Sequence, residues 1–175
     1  SDRDWSSDVC SSDLIEQGRY VLSPSPVPLA ALLLRLGREY AAQARERRVA
    51  LRIVGPGCDA PADDLVVSGE STLLAAMLAN LFANALDAMN GPGSLSVEES
   101  EGFMEPMGRV AVISVSDTGP GVPEEERERV FEPFHTTKEE GTGLGLPIAR
   151  RIVTEHGGSL SLTQAKSGGA KFTIT

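Results

Sequence analysis

The hydrophobic pattern divides the chain into helical and strand-like stretches separated by glycine and proline. From Leu29 to about Arg47, Leu32, Leu33, Leu36, Tyr40 and Ala44 fall on one side at helical spacing, and the basic end (Arg45, Arg47, Arg48) suits a helix C-terminus. Val49–Val54 alternates as a strand, and Asp64–Ser68 reads as a second, short one. Thr72–Met89 is the strongest helical stretch, with Leu74, Met77, Leu78, Leu81, Ala85, Leu86 and Met89 in period and Asn90-Gly91-Pro92 as its stop. Ser94–Glu98 and Arg109–Ser116 read as strands around a loop. Pro120–Gly141 is charged and bounded by Gly and Pro, with a short helical piece near Glu124–Phe131. A loop of that length in a compact domain is usually functional, often a lid. A helix follows from Leu144 to about His156, ended by Gly157-Gly158, and Ser159–Thr163 and Ala170–Thr175 close as strands. This mixed order, without internal repeats, predicts an α/β sandwich with helices on one face of a mixed sheet.

Two N-terminal stretches fall outside the pattern. Asp4–Leu14 (DWSSDVCSSDL) nearly repeats Ser-Ser-Asp and has no hydrophobic period, so residues 1–14 read as a non-native, adapter-derived scar or a disordered tail. Ile15–Leu22 fits the end of a helix, and Ser23–Pro28 (SPSPVP) is a breaker cluster, hence a linker or boundary.

Composition narrows the class. With 175 residues, 41% of them hydrophobic and 23% charged, the chain can build one domain with a core. No apolar run approaches about 20 residues, so no membrane span is expected, and the start lacks the basic flank and apolar stretch of a signal peptide. The net charge of −9 argues against a nucleic-acid surface. A phosphate ligand would therefore depend on local cations or backbone N–H donors. Cys10 and Cys58 make neither a metal-ligand pattern nor a disulfide framework, and they fit a reducing cytoplasm.

Four local constellations carry candidate chemistry. Asn80, Asn84 and Asp87 are spaced four and three apart, a polar stripe on an otherwise apolar helix. One such Asn alone would read as a satisfied buried amide. Three in register are harder to dismiss, and an amide oxygen is a suitable hard ligand for Mg²⁺ that also binds phosphates. Asp117-Thr118-Gly119-Pro120-Gly121 follows the strand VAVISV. A carboxylate there can accept a hydrogen bond from an exocyclic amine such as adenine's, though the same residues also make a good turn. Gly141-Thr142-Gly143-Leu144-Gly145-Leu146 opens a helix and offers N–H groups to an anion; it is neither the dinucleotide fingerprint nor a P-loop. In Phe131-Glu132-Pro133-Phe134-His135-Thr136-Thr137-Lys138, two phenylalanines could pin the loop to the core. Lys138 reads as a ligand of a terminal phosphate or as a solvated lysine.

Together these pieces resemble the ATPase family shared by histidine kinases, type II topoisomerases, mismatch-repair ATPases and a class of heat-shock chaperones, and within it the C-terminal catalytic domain of sensor histidine kinases. NLFANALDAM looks like its N box, DTGPG its first glycine box, FEPFHTTK its F box and GTGLGL its second glycine box, in the family's order and spacing. The resemblance runs from about Val27 to Thr175. It implies a two-layer α/β sandwich, the Bergerat ATP-binding fold, with a mobile ATP lid over residues 27–175, and makes residues 15–26 the end of a dimerisation helix and its linker. The implied cofactors are ATP and Mg²⁺. Asn84 would ligate Mg²⁺, with Asn80 beside it and Lys138 at the γ-phosphate as the catalytic pair. Asp117 would bind the adenine amine, Gly119 and Gly121 would shape the base pocket, and Thr173 would lie near adenine. Gly141, Gly143 and Gly145 would serve the lid hinge and phosphates, and Asp87, Phe131, Thr137, Thr142, Leu144 and Leu146 complete the expected nucleotide-contacting set.

Hydrolysing members of that family carry a glutamate one turn before the magnesium asparagine, as base for water. Here the position is Asn80, and an amide cannot accept that proton. The resemblance therefore implies phosphoryl transfer to an outside acceptor. His135, in the lid, and His156, which suits a helix C-terminus as charge or cap, lie outside any acceptor-box pattern, so the acceptor histidine is expected upstream of Ile15. His135 and Pro147 depart from a phenylalanine and an alanine common in the family, and neither is expected at a contact. The implied partners are a dimerisation domain bearing that histidine and a response regulator, with no nucleic acid. A homodimer is expected for the full protein and a monomer for this chain, in the cytoplasm, with or without an inner-membrane anchor on the parent. The alternatives are an ATPase of the same fold, a non-catalytic ATP-sensing module, or a serine kinase acting on an anti-sigma partner, which the F box argues against.

Overall fold

The structure, a computed structural model, describes residues 22–60, 63–136 and 141–175. The possible scar and most of the preceding helical stretch lie outside the described residues, as do Thr137 and Lys138.

The main sheet has five strands in the order β2-β4-β5-β7-β6, spanning Val49–Val54 (β2), Gly93–Met104 (β4), Gly108–Asp117 (β5), Leu160–Gln164 (β6) and Ala170–Ile174 (β7). The β2–β4 pair is parallel and the others are antiparallel. One face is apolar because side chains alternate: Val97, Val115, Phe172 and Leu162 fall in one row across four strands, all buried. The other face carries Ser96, Ser116, Lys171 and Thr163 in the neighbouring positions.

Three long helices cover the apolar face: Leu29–Glu46 (α1), Ser71–Ala88 (α3) and Gly145–Glu155 (α4), with a single turn at Pro56–Asp59 (α2). In α3, Leu73, Leu74, Met77, Leu78, Leu81, Phe82, Ala85 and Leu86 are all buried, a wider apolar arc than a surface helix shows. That width follows from its place between the sheet and both other helices. By length and composition α3 is the single described helix that could cross a membrane, at mean hydropathy 1.2, but its apolar residues form the core.

One feature differs from the sequence expectation, and a second sharpens it. The breaker cluster contains a strand: Ser25–Pro28 (β1) pairs antiparallel with Val66–Gly69 (β3) as a separate two-stranded sheet. Pro26 and Pro28 are tolerated because β1 is an edge strand, where donors on one side have no ladder to join. The same pairing starts α1. Leu29 N–H donates to the Leu65 carbonyl (2.9 Å), and Asp64 Oδ1 accepts from Ala30 N–H (2.9 Å). Asp64 thus caps a helix whose own preceding residue, Pro28, has no capping side chain.

The sharpened feature is His156, which serves the end of α4 as the cap. Its Nδ1–H donates to the Ile152 carbonyl (2.7 Å), and Nε2 accepts from Glu70 N–H (3.0 Å). An acceptor nitrogen carries no proton, so this bonding requires the neutral tautomer and excludes the C-terminal charge. The imidazole ties the end of α4 to the start of α3.

Candidate active site

The motif residues converge on a cavity of about 530 Å³ between α3, the 120–136 segment and the start of α4. A larger cavity, about 640 Å³, lies between β3, the β4–β5 hairpin and the end of α4, and contains none of the motif residues.

Asp117 ends β5 at the floor of the first cavity, with 2% of its surface exposed. Its Oδ1 accepts from Gly119 N–H (2.8 Å) and Ala170 N–H (3.2 Å). Burial pushes the carboxyl above the usual carboxylate range, and these two donors pull only part of the way back. With Oδ1 occupied, Oδ2 is the acceptor left for a ligand. Glycine surrounds this carboxylate for steric reasons: a Cβ at Gly169 would sit 2.5 Å from Oδ1. Gly121 adopts φ +73°, which a side chain would strain.

The α3 stripe supplies the opposite wall, with Asn80, Asn84 and Asp87 all lining the cavity. Asp87 Oδ1 is paired with Arg47 Nη2 (2.8 Å), and Arg47 Nη1 donates to the Leu86 carbonyl (3.0 Å). The start of α4 lies against the same stripe, because a Cβ at Gly145 would already be 3.3 Å from Asn80 Oδ1. In α4's first turn the N–H groups of Gly145 and Leu146 therefore open beside the two asparagines; Pro147 has none, and the Ile148 N–H is bonded to the Leu144 carbonyl (3.0 Å). Gly143, at φ +68°, makes the turn into α4, and its carbonyl accepts from Phe134 N–H (3.0 Å). A Cβ there would be 2.6 Å from the Phe134 backbone.

The profile of the family described as histidine kinase-, DNA gyrase B- and HSP90-like ATPase matches residues 69–175. The chain belongs to that family. Among its relatives, the sensor histidine kinase ZraS of Escherichia coli O157:H7 is 38% identical over 108 residues, 62% of this chain and 22% of ZraS. The chain thus spans about a fifth of the length of that curated relative. The catalytic domain of histidine kinase ThkA superposes at TM-score 0.75 with 27% identity, covering 87% of this chain and 93% of that one. ThkA in complex with the response regulator TrrA superposes at 0.74 with 25% identity, over 94% and 45%. Within the ATPase family, the chain is thus of the histidine-kinase catalytic type, an α/β sandwich.

The helical piece at Glu124–Phe131 is two 3-10 turns, Glu124–Glu126 and Arg129–Phe131. Of the two phenylalanines expected to pin the loop, Phe131 does: this side chain is buried, edge-on to Phe172 at 6.4 Å, with the Arg150 guanidinium 4.7 Å above its ring. Phe134 is 76% exposed. Gly141, Thr142 and Leu146 line the cavity; Gly119 shapes it through Asp117, and Leu144, the residue before α4, is not in the lining.

Thr173 is not brought to the site. It pairs with Ser114 on the open face of the sheet, because β7 alternates and Ala170 and Phe172 take the inward positions. Ala170, which no local signal marks, is instead the residue whose N–H reaches Asp117. His135 and Pro147, expected away from any contact, both line the cavity.

Proposed function

We propose that the chain binds MgATP in the α3–lid–α4 cavity and passes the γ-phosphate to a histidine on a dimerisation domain, as the catalytic unit of a sensor histidine kinase. The observation that carries this is that no uncommitted carboxylate able to activate water lines the cavity among the described residues. Asn80, an amide, stands where a hydrolase needs a carboxylate. The two carboxylates lining the cavity are engaged: Asp87 with Arg47, and Asp117 with two backbone donors.

The residues fit the ligand. Asp117 Oδ2 suits the adenine amine, and the α4 N-terminus with its glycine turn suits phosphate oxygens. Asn84 offers Mg²⁺ a hard amide oxygen, and bound Mg²⁺ would neutralise phosphate charge. What the protein adds is positioning: Asp117 holds the base, the α4 N–H groups hold the phosphates, and the lid excludes water once closed. By likeness to the ThkA complex, the phosphate then moves to a response regulator. We further propose a homodimeric parent, with residues 27–175 as its catalytic domain on the cytoplasmic side.

Incubation with γ-labelled ATP and a supplied dimerisation domain should label that domain, with little free phosphate and no label on this chain. Steady phosphate release abolished by Asn80→Ala would favour an ATPase instead. Tight ATP binding with no transfer would favour a sensing module. Asn84→Ala should weaken MgATP at least tenfold while changing metal-free ADP little; equal losses would make Asn84 structural.

A further inference from the structure

The cavity that binds the nucleotide in the reading above holds one feature which that reading leaves unused. Among the described residues lining it, His135 is the single side chain able to carry positive charge. The lining otherwise contributes two carboxylates, Asp87 and Asp117, on a chain of net charge −9. Phosphates brought here would meet backbone dipoles and amides but little formal charge.

The imidazole is held from behind. Glu126 Oε2 lies 3.1 Å from His135 Nε2, while Oε1 of the same carboxylate takes Arg129 Nη1 at 2.7 Å. Glu126 thus assigns Nε2 as a donor and leaves Nδ1 as the variable nitrogen. The backbone is held as well. His135 N–H donates to the Glu132 carbonyl (3.2 Å), and a Cβ on Gly143 would stand 2.9 Å from His135 N. His135 therefore sits against the glycine turn that leads into α4. In the nucleotide reading that turn is the phosphate end of the cavity, and Asp117 marks the base end.

We propose that His135 is a phosphate contact of the lid, positioned by Glu126, which makes triphosphate affinity depend on protonation. A protonated imidazole presents Nδ1–H and a charge to a phosphate oxygen; a neutral one presents a lone pair that repels it. The charged groups facing His135 are Glu126, with Arg129 behind it, and across the cavity Asp87, itself held by Arg47. From α4, Arg150 is committed to Glu128 (3.1 Å) and the Phe131 ring. The position thus gives a proton-linked grip on the nucleotide, and it rests on the nucleotide reading of this site.

Calorimetric binding of MgATP to the full chain, compared for wild type, His135→Phe and His135→Gln, tests it. ATP itself titrates in this range, so the readout is the ratio of wild-type to variant affinity, which cancels the ligand's own protonation. The ratio for either variant should be about three- to tenfold near pH 6 and close to one near pH 8. Unchanged thermal unfolding of the glutamine variant would show that the fold is intact. A ratio that stays constant with pH, or stays at one throughout, overturns the proposal. Failure of the wild type to bind ATP at either pH would instead overturn the nucleotide reading.

Discussion

Asp117→Asn separates the two jobs of one carboxylate. Oδ1 accepts from Gly119 and Ala170 N–H, and an asparagine keeps an oxygen for that side. The two fixed donors orient the amide, so its NH₂ replaces Oδ2 and faces the ligand. A donor then meets the adenine amine, another donor, at a position only 2% exposed. Losing a hydrogen bond to a charged group costs about 1.5–3 kcal/mol, and leaving donors unpaired adds to that, so ATP affinity should fall roughly 10- to 150-fold. Inosine triphosphate carries a carbonyl where adenine carries its amine, so the variant should bind it better than the wild type does. The fold should not suffer. Burial raises the carboxyl's pKa in the folded state, so its contribution is favourable at low pH and is lost as pH rises through the folded value. At neutral pH the ionised group is a cost that asparagine removes, and the nucleotide-free variant should melt no lower than the wild type. Calorimetry with both nucleotides and a thermal melt provide the test. An unchanged preference for ATP over inosine triphosphate would refute the assignment of Oδ2 to the base.

Three further outcomes are expected. Phe131→Ala removes the buried ring that pins the lid to Phe172, and should lower unfolding stability by about 3 kcal/mol in denaturant titration. Glu99 is buried on β4 with neither carboxylate oxygen in hydrogen-bonding geometry; burial and the nearby Asp64 charge raise its pKa, and the Leu65 backbone pulls back less. Its contribution is present below the unfolded value and lost as pH rises through the folded one, so Glu99→Gln should stabilise the protein at pH 7–8, an advantage that fades near pH 4. His156→Ala leaves the Glu70 N–H without its acceptor and should cost about 1–3 kcal/mol by the same titration, with the α3–α4 junction losing amide-exchange protection first.

What the sequence determined by itself is what depends on neighbours along the chain. Helical period placed α1, α3 and α4, and the strand patterns placed the sheet's strands, except that β4 runs six residues past the expected Glu98 to Met104, where the expected loop is instead paired with β5. Spacing of four and three put Asn80, Asn84 and Asp87 on one wall, since helix geometry alone fixes that. The glycines of both boxes were legible because a positive φ at Gly121 and Gly143 is a local requirement. Partners distant in sequence were not legible. Ser25 pairs with Gly69, and Ala170 N–H finds Asp117 fifty-three residues away. Asp64 caps α1 thirty-four residues before it, and His156 is made a neutral acceptor by Glu70, eighty-six residues away. Thr173 was expected at the base because it resembles the family's threonine in the last strand, yet the strand's inside and outside are set by its register with β5. His135 lacked any local mark because its meaning comes from Glu126 on one side and the Gly143 turn on the other. Conformational preference belongs to a residue and its near neighbours, whereas a hydrogen bond, a buried charge or a cavity wall belongs to whatever the fold brings against it.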